Sequence, residues 1–107
     1  MPSLMEQVQA LVAAGRWVPS GHGGLRRDRR GLDDADLIHD ITAASTVELY
    51  DEPGQRPAVL SLQHDRSGTP IHVIWGFHSV TGDALVITAY YPALDRWEPD
   101  LMTRRQR

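Results

Sequence analysis

A histidine and two arginines recur at intervals of four, His22-x3-Arg26-x3-Arg30, and Gly31 follows at once. On a helix, residues spaced this way line one face. One imidazole and two guanidiniums on one side of a short element suit a phosphate. The guanidinium forks match its oxygens in bidentate fashion, and imidazole exchanges a proton near neutral pH. A second histidine stands in Ile71-His72-Val73-Ile74, and Tyr90 in Val86-Ile87-Thr88-Ala89-Tyr90-Tyr91-Pro92. Cleaving RNA without a metal needs a base for the 2′-hydroxyl, a cation for the phosphorane and an acid for the leaving oxygen. His22 and His72 can fill the first and last roles in either order. Arg26 and Arg30 can hold the phosphate, Tyr90 can position or protonate, and Arg104 can assist.

Each of these residues also has a purely structural reading. His22 can cap a carbonyl at a helix start, and Arg26 and Arg30 can form a solvated face paired with Asp33 or Asp34. His72 can be a satisfied sheet histidine, and Tyr90 and Tyr91 packing residues with a hydroxyl near water. Other chemistries lack their patterns. Five histidines occur, yet there is no H-x-H, H-E-x-x-H or acid-rich ligand cluster. Gly21-His22-Gly23-Gly24 lacks the lysine and the preceding strand of a phosphate-binding loop, and no serine sits in a nucleophile elbow. Neither a metal nor any other cofactor is expected.

The elements that must position these residues divide the chain in two. Ser3 to Glu6 reads as a capping box, and Leu4, Met5, Val8, Leu11 and Val12 mark the apolar face of a helix over about 4–14, stopped by Gly15. Trp17 to Gly21 reads as a connector. A short second helix over about 22–30 carries the His22 array, weakened by Gly23 and Gly24. Asp33 caps a third helix, about 34–44. Four strand-like runs follow, at 46–51, 58–64, 71–77 and 84–91, separated by short breaks with Pro53-Gly54, Ser67-Gly68 and Gly82-Asp83. Helices first and strands second predict an α+β fold: three helices on one face of a four-stranded antiparallel meander. In 71–77 the alternation puts Ile71, Val73, Trp75 and Phe77 on the core face and His72 on the other. Ala84, Val86, Thr88 and Tyr90 share one face of the last strand; hairpin register decides whether that face adjoins His72. Trp97 folds back on the core, and 102–107 frays.

The chain has 107 residues, enough for one domain over 1–107, with its core at about 4–98 and a tail at 99–107. Apolar residues make up 41%, against disorder. The formal charge of −3 argues against indiscriminate binding to nucleic acid. The charge is uneven, with Arg16, Arg26, Arg27, Arg29 and Arg30 against Asp28 alone in 16–30. Every basic residue is arginine. There is no cysteine, no basic leader before an apolar stretch, and no apolar run near the ~20 residues that span a bilayer. A cytoplasmic location without membrane contact is expected.

As an ordered set, His22-x3-Arg26-x3-Arg30-Gly31, Ile71 to Ile74, Val86 to Pro92 and Trp97 resemble a family of small bacterial proteins of unknown function. That family is itself distantly similar to the RelE/ParE-like toxins of toxin–antitoxin pairs. The resemblance spans about 17–105. It implies a RelE/ParE-like fold, metal-independent endoribonuclease chemistry on RNA, and an antitoxin as partner, whose binding would cover the basic helix. Against this stands a second reading: a non-enzymatic module on the same fold that binds a protein or an anion, favoured by the acidic balance. A homodimer through edge strands is compatible with both.

Overall fold

The structure is a computed structural model and describes residues 2–19, with Pro19 as backbone only, and 32–106. The expected helix over 22–30, with His22, Arg26 and Arg30, lies outside the described residues.

Helix α1 (Leu4–Ala13) begins as its sequence requires. The Ser3 hydroxyl accepts the Glu6 amide at 3.1 Å and the Glu6 carboxylate accepts the Ser3 amide at 2.9 Å. It ends where Gly15 adopts a φ of 74°, letting the Gly15 amide reach the Val12 carbonyl and the Arg16 amide reach that of Leu11. Met5, Val8 and Val12 are its buried stripe.

The sheet departs from the expected four-stranded antiparallel meander. Among the described residues it has five strands, β1 (Trp17–Pro19), β2 (Ser45–Tyr50), β3 (Ala58–His64), β4 (Pro70–Phe77) and β5 (Ala84–Tyr90), in the spatial order β1-β5-β4-β3-β2. β1 lies parallel to β5, pairing Trp17 with Ala84 and Val18 with Leu85, so the sheet is mixed. Trp17 to Pro19, read as part of a connector, is thus an edge strand among the described residues. Three residues ending in proline carry no strand signal, and an edge is where proline is tolerated. What holds β1 there is tertiary. The Ala84 amide donates to the Arg16 carbonyl, the Arg16 guanidinium bonds Asp83 at 2.8 Å, and Trp17 meets Trp75 edge-on at 6.1 Å between centroids.

The helical half is corrected as well. The described residues hold two α-helices, and the segment expected as a helix over 34–44 is shorter and broken. Asp33 does cap α2 (Asp34–Ile38), with a reciprocal Asp33–Asp36 box, but the helix stops at Ile38 and a 3-10 turn spans Ile41–Ala43. Continuing the helix would require the Ile41 amide to bond the Leu37 carbonyl. That carbonyl instead accepts from the buried Gln63 amide at 2.8 Å, and the Asp40 carboxylate is drawn to the His64 amide at 2.8 Å. The RelE/ParE-like arrangement of three helices and a four-stranded meander is therefore not the architecture observed.

One sheet face, with Val59, Ile71, Val73, Trp75, Ala84, Val86 and Ala89, packs on α1, Leu32, Leu37 and Ile41 as the hydrophobic core. Gln63 is buried within it and bonded through both its amide nitrogen and its oxygen. Besides bonding Leu37, it accepts from Trp75 Nε1 at 2.8 Å and from the Ser61 hydroxyl at 2.7 Å. Among the described residues no helix is long and apolar enough to cross a membrane.

Gln63→Ala strands the Leu37 carbonyl and the Trp75 indole N–H in the core. A loss of ~2–4 kcal/mol in urea unfolding is expected; a loss below ~1 kcal/mol would show that these groups have other partners. Asp36 provides an acid signature. Burial alone would raise its pKa, but bonds from the Arg66 backbone and guanidinium and from the Asp33 amide hold it down to about 2. Its stabilisation is therefore complete above the ordinary carboxylate range and is lost as pH falls towards about 2. Asp36→Asn is expected to be less stable than the parent at neutral pH, with the difference shrinking in acid; a difference constant with pH would refute the assignment.

Candidate functional site

A bulge in β5 builds the site. Pairing jumps from Ile74–Thr88 to Trp75–Val86, leaving Ile87 extra. Ala84 and Val86 therefore face the core with Trp75 and Phe77, whereas Thr88 and Tyr90 turn to the opposite face. The shared face expected for these four residues is split, and Tyr90 lands directly across from His72. A second bulge, at Val47 in β2, sets Glu48 opposite Leu60 on that same face.

His72 is 0% exposed, although it lies on the face away from the helices. Its cover is the C-terminal segment, which closes into a small hairpin. Trp97 pairs with Arg104, the Arg105 amide reaches the Arg96 carbonyl, and Asp100 accepts the Met102 and Thr103 amides. The stretch expected to fray is thus tied down through 105. Leu101 takes a left-handed φ of 60° at the tip, a conformation that costs a non-glycine residue about 1 kcal/mol or more. It holds the Leu101 carbonyl 2.7 Å from His72 Nε2. Trp97 packs edge-on against the imidazole at 4.5 Å.

The protonation pattern follows from the partners. A carbonyl only accepts, so Nε2 carries a hydrogen. Burial lowers the His72 pKa first of all; the Leu101 bond raises it, the Arg104 charge lowers it and the Glu48 charge raises it. The net direction is down, so the ring is neutral at neutral pH and Nδ1 is bare. The Tyr90 hydroxyl, at 3.2 Å, donates to it. Burial raises the Tyr90 pKa, keeping the phenol protonated.

Arg104 lies over the Trp97 ring at 4.7 Å and grips Glu48 with two bonds, Nε at 2.6 Å and Nη2 at 3.0 Å. Tyr50 donates to the same carboxylate at 2.6 Å. The Arg104 bonds hold the Glu48 pKa down despite burial, while burial and Glu48 push Tyr50 up to about 12. A guanidinium has five N–H donors and Glu48 takes two, so Arg104 can still offer an edge to an anion. Tyr90, Tyr91, Ala93, Arg96, Trp97 and Arg104 line an open cleft of about 350 Å³ here. Tyr91 is braced by the Asp65 carboxylate at 2.9 Å. Arg96 is exposed and forms no ion pair with a described residue.

Of the residues singled out in the sequence, His72, Tyr90 and Arg104 come together. His22, Arg26 and Arg30 lie outside the described residues. His72 is enclosed, with both nitrogens bonded, beneath the cleft rather than in it. Arg96, Glu48 and Tyr50 were missed. Arg96 sits in an irregular segment with no motif around it, and the Glu48–Arg104 pair joins positions 56 apart. Among the described residues no three His, Asp or Glu side chains converge as a metal would require.

The chain belongs to the family of the domain of unknown function DUF4258, whose model matches residues 20–91. The match takes in the His22 array, β4 and β5, while Trp97 and Arg104 lie beyond it. No curated protein and no solved structure significantly matches the chain.

If His72 holds the hairpin down, His72→Phe removes the donor to Leu101. Amides 98–105 are expected to lose hydrogen-exchange protection by about tenfold or more, while those of α1 change little. Unchanged protection over 98–105 would show that Trp97 packing alone fixes the cover.

Proposed function

We propose that this protein is a toxin-like, RNA-directed member of its family, and that its cleft holds a phosphodiester between Arg96 and Arg104 beside Tyr90. The observation that carries the reading is the convergence of Tyr90 and Arg104 on one cleft with Arg96, whose charge is not neutralised by a described carboxylate. Planar forks suit phosphate oxygens, and Trp97 fixes one fork by stacking. The toxin relationship rests on the motif set, not on the sheet. An antitoxin protein would be the matching partner, covering the basic stretch around Arg26 and Arg30.

Within this reading, binding is better supported than catalysis. Two permanent cations and a phenol of raised pKa supply no group that exchanges a proton near neutral pH, and the His72 ring is occupied. Metal-independent cleavage is the second reading, favoured by the His22-x3-Arg26-x3-Arg30 array. It would draw its base from His22.

One experiment separates the two. Single-stranded RNA is titrated with purified protein in EDTA, and binding and chain length are both followed. Binding without cleavage is expected, weakened about tenfold by Arg104→Ala and by Arg96→Ala. Cleavage that disappears in His22→Ala would establish the nuclease reading instead. Wild-type protein that does not bind RNA would remove both.

A further inference from the structure

The hydrogen-bond sense of the Tyr90 hydroxyl is set from behind. The Leu101 carbonyl keeps a hydrogen on His72 Nε2 in every protonation state, so a neutral ring has only a lone pair at Nδ1. Tyr90 must then give its proton to Nδ1. The hydroxyl forms no other hydrogen bond with a described residue, so its oxygen retains lone pairs and no hydrogen to offer. Arg96 and Arg104, beside it, are donors only. Apart from the Tyr91 hydroxyl, which is bonded to Asp65, the polar set at the cleft is therefore two cationic donors and one acceptor, and an anion with acceptors alone cannot satisfy all three.

We propose that His72 is a positioning residue that turns Tyr90 into a hydrogen-bond acceptor toward the cleft, so that the cleft selects an anion carrying a hydroxyl donor beside its negative group. This deepens the phosphodiester reading and rests on it. A ribose 2′-hydroxyl beside its phosphodiester meets the requirement, and deoxyribose does not. The arrangement is also reversible by one proton taken from solvent. A protonated ring donates from Nδ1 to the Tyr90 oxygen, and the phenol hydrogen is released to point at the anion. Tyr90 then becomes a donor, and the preference for the ribose hydroxyl is lost.

The groups facing the imidazole are known from every element around it. They are Tyr90 from β5, Leu62 from β3, Glu48 from β2, and Trp97, the Leu101 carbonyl and Arg104 from the C-terminal hairpin. Tyr50 stands behind Glu48. Both phenols are pushed up and Glu48 is held down, so none of these three titrates between the carboxylate range and neutrality. The imidazole is left as the titrating group in that window, below its ordinary range because it is buried.

The test uses the full chain with the dinucleotides UpU and dUpdU, whose phosphodiester and bases keep their charge between about pH 5 and pH 8. Nitrogen-15 spectra of the His72 ring read its tautomer and titration, and amide shifts at the cleft read affinity. At about pH 8 the ring is expected as the Nε2–H tautomer, with UpU bound about fivefold more tightly than dUpdU, the worth of one hydrogen bond. As the ring protonates, the preference should fall below about twofold. Tyr90→Phe should show no preference at any pH. His72→Gln, which keeps a donor for Leu101 but cannot titrate, should show no pH dependence.

An Nδ1–H tautomer at high pH, a ring that never protonates before the fold is lost, or a preference that survives Tyr90→Phe overturns the proposal. In those cases, binding of both dinucleotides leaves the phosphodiester reading standing. Wild-type protein that binds neither dinucleotide overturns both. Should His72→Gln fail to fold, the wild-type spectra and Tyr90→Phe still decide the matter.

Discussion

The bond from His72 Nε2 to the Leu101 carbonyl decides what the second face of this sheet is. Without it, a histidine in a central strand would need water, and that face would be an open surface. With it, the C-terminal hairpin is seated, Trp97 is buried to 3% exposure, and Arg104 is carried over the sheet to Glu48. The bond also fixes the imidazole tautomer, and so the sense of the Tyr90 hydroxyl. One buried donor–acceptor pair links the packing of the tail to the chemistry of the cleft.

Charge is arranged around this bond in layers. The neutral ring sits lowest, Trp97 and Tyr90 cover it, and the Glu48–Arg104 pair lies above at partial exposure, with side chains 27% and 59% accessible. At that exposure the ion pair contributes little to stability on its own. Its larger effect is orientation: the carboxylate takes one edge of the guanidinium and Trp97 takes its face, so the remaining N–H groups are pre-set without further loss of side-chain entropy. Arg96 has no such brace among the described residues. The cleft therefore combines a rigid cation with an adaptable one.

Local signals succeeded where local physics ruled. The Ser3–Glu6 box, the Gly15 stop, the Asp33 cap and the runs that became β2 to β5 could all be read because capping and alternation act within a few residues. The failures came from partners far along the chain. Gln63 claims the Leu37 carbonyl and ends α2 early, and Ala84 and Asp83 recruit Arg16 and Trp17 into a parallel edge strand. Strict period-two counting placed Thr88 and Tyr90 with Ala84 and Val86, and the extra Ile87 broke that count. This bulge leaves no composition mark, since its extra residue is isoleucine, an ordinary strand former.

The sequence by itself determined which chemistries could be present: arginine as the sole cation, no thiol, an imidazole in a strand, a phenol near the end of the last one. It also placed His72 on the face away from the helices, because side chains alternate along any strand. Only the tertiary structure decided that this face is covered, that His72 is a buried neutral ring rather than an exposed proton carrier, and that Arg96 belongs beside Tyr90 and Arg104. Residue type fixes what a group can donate, accept or titrate. Which of those it does depends on burial and on partners brought from distant positions, and no local pattern encodes either.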